Sequence, residues 1–317
     1  MNIDIFNGDA DGICALHQLR LAEPRSSQLV TGVKRDINLV QRVTAVKGDS
    51  LVVLDISFDK NRNAVEQALK QGAIVSYYDH HFAGELPKDD NLTCFIDTAA
   101  ETCTSLIVNE QLKGKYVNWA IAAAFGDNLF KQASALSKQV GLNNSEESQL
   151  KELGILINYN GYGSTTNDLF YAPDKLYEII HQYEDPFDFI LKEKAFKVLQ
   201  LGYKSDLEKV QLIEADLLSN KCGIFILPKE TWARRISGVY GNILTQQSPD
   251  RAHAILSEID NGAYVVSVRA PLNNREGADD LCRQFDTGGG RKAAAGINKL
   301  SIAEYGQFVE KFKLQFK

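Results

Sequence analysis

Across the first hundred positions, short apolar runs alternate with stretches whose apolar residues recur at helical spacing. Ile3–Phe6, Leu29–Val33, Leu51–Ile56, Ala73–Tyr77 and Thr93–Ile96 have the length and side chains of strands. Gly12–Leu21, Lys60–Gln71 and Glu101–Gln111 read as amphipathic helices. The alternation predicts an α/β domain on a doubly wound, mostly parallel sheet. Helical spacing dominates from Val117 to about Leu218, with a Gly-, Ser-, Thr- and Asn-rich loop at 161–167. Phe187–Leu218 lacks proline and contains only Gly202, so it reads as one long or broken connecting helix. A smaller α/β unit follows. Its expected strands are Cys222–Leu227, Ala252–Glu258 and Tyr264–Arg269, and its expected helices are Ser237–Thr245, Ala278–Phe285 and Ile302–Phe316. The expected organisation is a metal-binding domain at 1–185, a helical linker at 186–220 and a substrate-binding domain at 221–317.

Composition narrows the class. With 317 residues, 44% hydrophobic and 24% charged, the chain can bury two ordinary cores. No apolar run approaches the ~20 residues of a membrane span. Asp4 interrupts the start, where a secretory signal needs a long apolar stretch. A cytoplasmic protein without a membrane partner is expected. Cys14, Cys94, Cys103, Cys222 and Cys282 are odd in number and show no CxxC pair, which disfavours a disulfide framework or a thiolate zinc site.

The net charge of −6 is unevenly spread. Residues 1–220 carry 21 Lys+Arg against 31 Asp+Glu, and residues 221–317 carry 14 against 10. An acidic part beside a basic one suits a metal cluster in the first and a phosphate clamp in the second. The basic excess is too small for tight binding of long duplex DNA. Small or short phosphorylated substrates fit better.

The chemistry lies in where the acids fall. Asn7, Asp9 and Asp11 follow the first expected strand, Asp55 lies at the end of the third, and Asp79, His80 and His81 follow the fourth. In an open parallel sheet the carboxyl ends of the strands face one crevice, where ligands bind. Each residue alone has an ordinary explanation as a turn former, helix cap or surface group. Together, so many like charges require a neutralising cation, or two. Asn7-Gly-Asp9-Ala-Asp11-Gly12 imitates the start of an EF-hand loop. That loop needs Glu where Gln18 stands, and a helix where this chain has a strand. Neither a P-loop nor a Rossmann glycine pattern is present. Asp and His without Cys favour Mn²⁺ or Mg²⁺, and two such ions ~4 Å apart suit phosphoryl displacement.

These residues resemble the DHH phosphoesterase superfamily with its DHH-associated C-terminal domain, in particular its oligoribonuclease (nano-RNase) and RecJ-like exonuclease branches. Asp9-Ala-Asp11-Gly12, Asp55, Asp79-His80-His81 and Asp127 match its motifs in order. Val266-Ser267-Val268-Arg269 and Gly288-Gly289-Gly290-Arg291-Lys292 match the C-terminal signature. The resemblance implies one Mn²⁺ on Asp11, Asp55, His80 and Asp127, and a second on Asp9 and Asp55, with Mg²⁺ as a substitute. Asp55 bridges the ions, Asp79 orients a ligand histidine and Asn7 supports the first site. His81 faces the substrate phosphate. Arg269, Gly288, Gly289, Gly290, Arg291 and Lys292 contact the far end of the substrate. Two positions depart from the pattern: Ile5 and Arg291 stand where many relatives have His.

The implied activity is Mn²⁺-dependent, two-metal hydrolysis of phosphodiester or phosphomonoester bonds in short single-stranded oligonucleotides or small nucleotides. Polyphosphate or pyrophosphate hydrolysis, or a lapsed nucleotide-binding regulator, are the alternatives. A homodimer is compatible with the sequence.

Overall fold

The computed structural model describes residues 1–317, which divide into two compact units, Met1–Leu201 and Gly202–Lys317. In the first, β1 (Asn2–Phe6), β2 (Gln28–Val30), β3 (Ser50–Leu54), β4 (Ile74–Asp79) and β5 (Leu92–Ile96) form one parallel sheet in the order β2-β1-β3-β4-β5. β3 is a nearly continuous apolar run, and β1 is buried from Ile3 to Phe6, because both faces of a parallel sheet are covered. α2 (Phe58–Lys70) covers the face carrying Ile3, Ile5, Leu51, Val53, Val75 and Tyr77, and buries Phe58, Val65 and Leu69 there. Ile5 is therefore a core residue. On the other side of β1, Asp4 reaches Arg20 of α1 (Ala10–Ala22). The doubly wound sheet expected from the sequence is present.

The helical layer follows. It comprises α3 (Thr104–Gln111), α4 (Val117–Gly126), α5 (Phe130–Gln139), α6 (Asn144–Gly161), α7 (Pro173–Ile180), α8 (Pro186–Lys192) and α9 (Lys194–Val210). Asn143 and Glu146 start α6 with a reciprocal capping box, satisfying two otherwise orphaned backbone donors. α4 and α6 cross closely enough that a Cβ on Gly154 would lie 1.9 Å from the Ala122 carbonyl oxygen, so only glycine fits. That crossing fixes the end of α4, where Asp127 sits.

The second unit is a six-stranded mixed sheet, β10-β11-β9-β8-β7-β6. Its strands are β6 (Ala215–Leu218), β7 (Cys222–Leu227), β8 (Ala252–Ile259), β9 (Ala263–Arg269), β10 (Gly288–Arg291) and β11 (Ala294–Ser301), and only β7 and β8 pair in parallel. α10 (Thr231–Gln247) packs on β8 and β9, with Tyr240 against Phe225. α11 (Ala278–Cys282) and α12 (Tyr305–Gln315) cover the opposite face. Phe308 and Phe312, one helical turn apart on α12, fill that core with Phe316 just beyond its end.

Of the two forms expected for the connecting helix the broken one is present, with the break at Glu193, the C-cap of α8, and its expected tail is instead the strand β6. The C-terminal glycine-rich segment, which is not among the expected strands, is the edge strand β10 of a hairpin with β11. Gly290 adopts φ 144°, and a Cβ there would meet the Ala295 backbone. No helix is long and apolar enough to cross a membrane.

Candidate metal centre

Strand ends and one helix end build the site. Asp9 caps α1: its Oδ1 accepts the N–H groups of Asp11 at 3.0 Å and Gly12 at 3.1 Å. Asp11 lies in the first turn of α1, with its carboxylate against the start of α3. There it accepts the N–H groups of Thr104 at 2.7 Å and Ser105 at 2.6 Å. Asp55 follows β3 at φ 58°, a left-handed conformation that residues other than glycine seldom adopt. Its Oδ1 accepts the Thr104 hydroxyl at 3.3 Å and lies 3.4 Å from His80 Nε2. Asp127, the C-cap of α4, brings Oδ2 to 3.9 Å from the same nitrogen.

Asp79 closes β4. Its Oδ2 accepts the Phe58 N–H, and its Oδ1 accepts the His80 N–H at 2.9 Å and meets His81 Nδ1 at 2.7 Å. The imidazole that Asp79 holds is thus that of His81. With Nδ1–H donated to the carboxylate, His81 presents Nε2, and its side chain is about one-quarter exposed.

The donor atoms of Asp11, His80 and Asp127 all lie within 4.8 Å of one another, and so do those of Asp55, His80 and His81. Asp9 belongs to neither group. The carboxylate–imidazole set suits a hard or borderline divalent ion. Asn7 Oδ1 is a buried acceptor with no protein partner, and a cation or its water would satisfy it. Cys14 and Cys103 lie nearby, but burial, with neighbouring Asp11, pushes both thiols well up, so they are poor thiolate ligands.

The electrostatics are lopsided. Burial, then Asp11, Asp9, Asp127 and Asp79, push the Asp55 carboxyl well above the usual range. Burial also raises Asp127, with Lys34 and His80 opposing. Asp9 goes the other way: burial would raise it, but the Lys34 ammonium and the Gly12 N–H hold it below the usual range.

Lys34 was not foreseen from the sequence. It lies on the segment after β2, and its Nζ donates to Asp9 Oδ2 at 2.5 Å and to Asn158 Oδ1 of α6 at 2.9 Å. The rule that marked the acids also marks this residue, because Lys34 directly follows the expected run Leu29–Val33. A lone lysine in a loop simply reads as solvated.

The remaining expected residues lie in the second unit. Arg269 ends β9, with Nε donating to Asn242 Oδ1 and Nη1 to Ser267 Oγ. Gly288, Gly289, Gly290 and Arg291 form β10, where Arg291 is exposed. Lys292 follows in the turn and pairs with Glu276 at 3.0 Å.

Residues 5–132 match the family model "DHH family, N-terminal domain". No curated protein matches the sequence. Over 99% of this chain the fold is similar to exonuclease RecJ bound to manganese, with TM-score 0.61, 15% identity and 89% of that chain covered. RecJ from Thermus thermophilus, in complex with Mn²⁺, gives TM-score 0.62 at 15% identity, over 99% of this chain and 51% of that one. The pGpG-specific phosphodiesterase PggH from Vibrio cholerae gives 0.58 at 16% identity, over 98% and 96%. At these identities the likeness is one of fold. The motif-bearing strand ends fall within residues 5–132, the part of the chain that is similar to the N-terminal domain of the DHH family.

Proposed function

We propose that the chain is a divalent-metal-dependent phosphoesterase acting on short single-stranded oligonucleotides or small nucleotides, with Mn²⁺ as its ion and Mg²⁺ as a substitute. One observation carries this reading: Asp11, Asp55, His80 and Asp127 converge, at the carboxyl end of a parallel sheet, in a carboxylate cluster that its own cations leave under-neutralised. A bound divalent ion supplies positive charge at the phosphoryl oxygens and a nucleophilic water at neutral pH.

The protein's own groups do the rest. Asp11 keeps two of its roughly four lone-pair sites after its bonds to α3, so it can still ligate. Asp79 holds the ring of His81 through Nδ1, which leaves Nε2 to donate to a phosphoryl oxygen or hand a proton to a leaving group when the ring is an imidazolium, and to accept a proton when it is neutral. In the second unit, Arg269, β10 and Lys292 are assigned to a non-reacting phosphate, for which Arg offers planar, bidentate recognition. The fold likeness to an exonuclease and a pGpG-specific phosphodiesterase supports the substrate class.

The test is a Mn²⁺-supplemented screen of dinucleotides, cyclic dinucleotides, bis-phosphorylated adenosine, pyrophosphate and polyphosphate, each repeated with chelator. Chelator-sensitive cleavage of one nucleotide class well above the rest is expected. Preference for pyrophosphate or polyphosphate moves the assignment to phosphoanhydrides, and no cleavage of any substrate with either metal rejects it.

A further inference from the structure

We infer that Lys34 is a built-in cation holding the Asp9 position, so that the centre takes a single divalent ion on Asp11, Asp55, His80 and Asp127. This rests on the metal-dependent reading above and narrows it, since that reading began from two ions with Asp9 on the second.

Lys34 is fixed along its whole length. Its backbone N–H donates to the Gly161 carbonyl at 2.8 Å, and its carbonyl accepts Asn7 Nδ2 at 3.3 Å. Its ammonium is held by Asp9 Oδ2 and Asn158 Oδ1, lies 3.7 Å from Asp127 Oδ1 and stands over the Tyr162 ring. The β1–α1 junction, the region around the end of α6 and the end of α4 thus converge on one positive charge. A side chain so restrained is a placed group.

The capacity of Asp9 leads to the same conclusion. A carboxylate offers about four lone-pair sites. Oδ1 already takes two backbone N–H groups, and Oδ2 takes the ammonium. A divalent ion bound at Oδ2 would sit about 2 Å from an oxygen whose other side carries Lys34, bringing two cations together in a poorly solvated site. The second position is therefore filled by an ammonium, while the first keeps its four donors. An ammonium has three N–H donors, of which Lys34 spends two. With its side chain about one-quarter exposed, the third can serve a phosphoryl oxygen of the substrate as a point charge.

Equilibrium dialysis against Mn²⁺, with bound metal measured by atomic emission, tests this without assaying activity. The wild-type protein should bind one ion per chain. Lys34→Met, which frees Asp9, should gain a second ion or tighten a weak second event at least ten-fold, while Lys34→Arg should stay at one. Asp9→Asn keeps a good N-cap for α1 and should still bind one ion, because Asp9 is not a ligand. Two ions of comparable affinity in the wild type, one ion in folded Lys34→Met, or loss of the ion in Asp9→Asn would each overturn the inference. If Lys34→Met does not fold, the wild type and Asp9→Asn still decide. Two ions in the wild type leave the metal-dependent reading intact, whereas no ion in any variant sinks that reading too.

Discussion

Asp4 lies on β1 and Asp55 just past the end of the neighbouring β3, both carboxylates are buried, and their surroundings are opposite. Asp4 accepts Arg20 Nε at 2.7 Å and Nη2 at 2.5 Å, Arg25 Nη2 at 3.3 Å and the Ser27 hydroxyl at 2.5 Å. Burial pushes its carboxyl up, but Arg20, Ser27 and Arg25 together hold the group below the usual range. Asp55 has similar burial and four acids around it, and its carboxyl is driven well up. A buried acid matched to its own cations is part of the scaffold. A buried acid among other acids is completed only by a proton or an added cation.

The largest effects should come from breaking the unmatched cluster. On the proposed function Asp55→Ala removes a ligand from the ion, and a metal's contribution of several kcal/mol implies a loss on the order of 10³-fold in kcat/KM. His80→Ala should behave similarly. Steady-state rates at saturating Mn²⁺ check both, and wild-type rates would remove Asp55 from the centre. The same residue reverses the usual sign in stability. An acid whose folded pKa is raised contributes stability below its unfolded pKa and loses it as pH rises. Metal-free Asp55→Asn should therefore be more stable than the metal-free wild type at pH 7. Urea unfolding in chelator reads this directly.

Asp4 should do the reverse. Removing one partner of a buried ion pair costs about 3–5 kcal/mol, so Asp4→Asn should unfold at much lower urea while binding the same amount of Mn²⁺. Because its folded pKa is depressed, the stability Asp4 contributes is present above pH ~3.8 and disappears as pH falls below that. A loss of metal alongside an unchanged urea midpoint would collapse the contrast between the two acids.

His17 extends the contrast to a buried base. Burial, with His181 beside it, lowers its pKa to about 3, so it stays neutral, with Nε2 facing the Tyr183 carbonyl at 3.0 Å. Its stabilising contribution is complete above the unfolded pKa of ~6.5 and falls as pH drops toward 3. At pH 5 the difference is about 2 kcal/mol. Between pH 7 and pH 5, wild-type unfolding free energy should fall by that much more than in His17→Asn. Parallel pH profiles would show that the ring is not held neutral.

Residues 221–317, the larger part of the second unit, invert the imbalance, with 14 Lys+Arg against 10 Asp+Glu. Arg291 stands exposed on an edge strand, and a charge-assisted contact there is worth roughly ten-fold in affinity. Arg291→Ala should raise KM about ten-fold with a smaller change in kcat, and Arg291→Lys should recover only part. An unchanged KM would make Arg291 an ordinary surface residue.

What the sequence made legible follows from these contrasts. Strand-end acids stand out because consecutive parallel strands deliver them to one rim, so Asp9, Asp11, Asp55 and Asp79–His81 could be gathered by position alone. Asp127 ends a helix, where no periodicity marks it, and only the family resemblance singled it out. Lys34 was hidden by being one lysine among many. Its role comes from Asn158 and Gly161, more than a hundred residues away. β10 was hidden by its three glycines, which carry no strand propensity and pair through backbone alone. β6 was hidden because Ala-Asp-Leu-Leu reads as the tail of a helix until β7 pairs with it.

The most direct measurement is anomalous diffraction at the manganese edge from crystals grown with Mn²⁺. One strong peak ringed by Asp11, Asp55, His80 and Asp127 is expected, with the Lys34 ammonium still on Asp9. No peak at that ring, or a peak of equal height on Asp9 with Lys34 displaced, would contradict it.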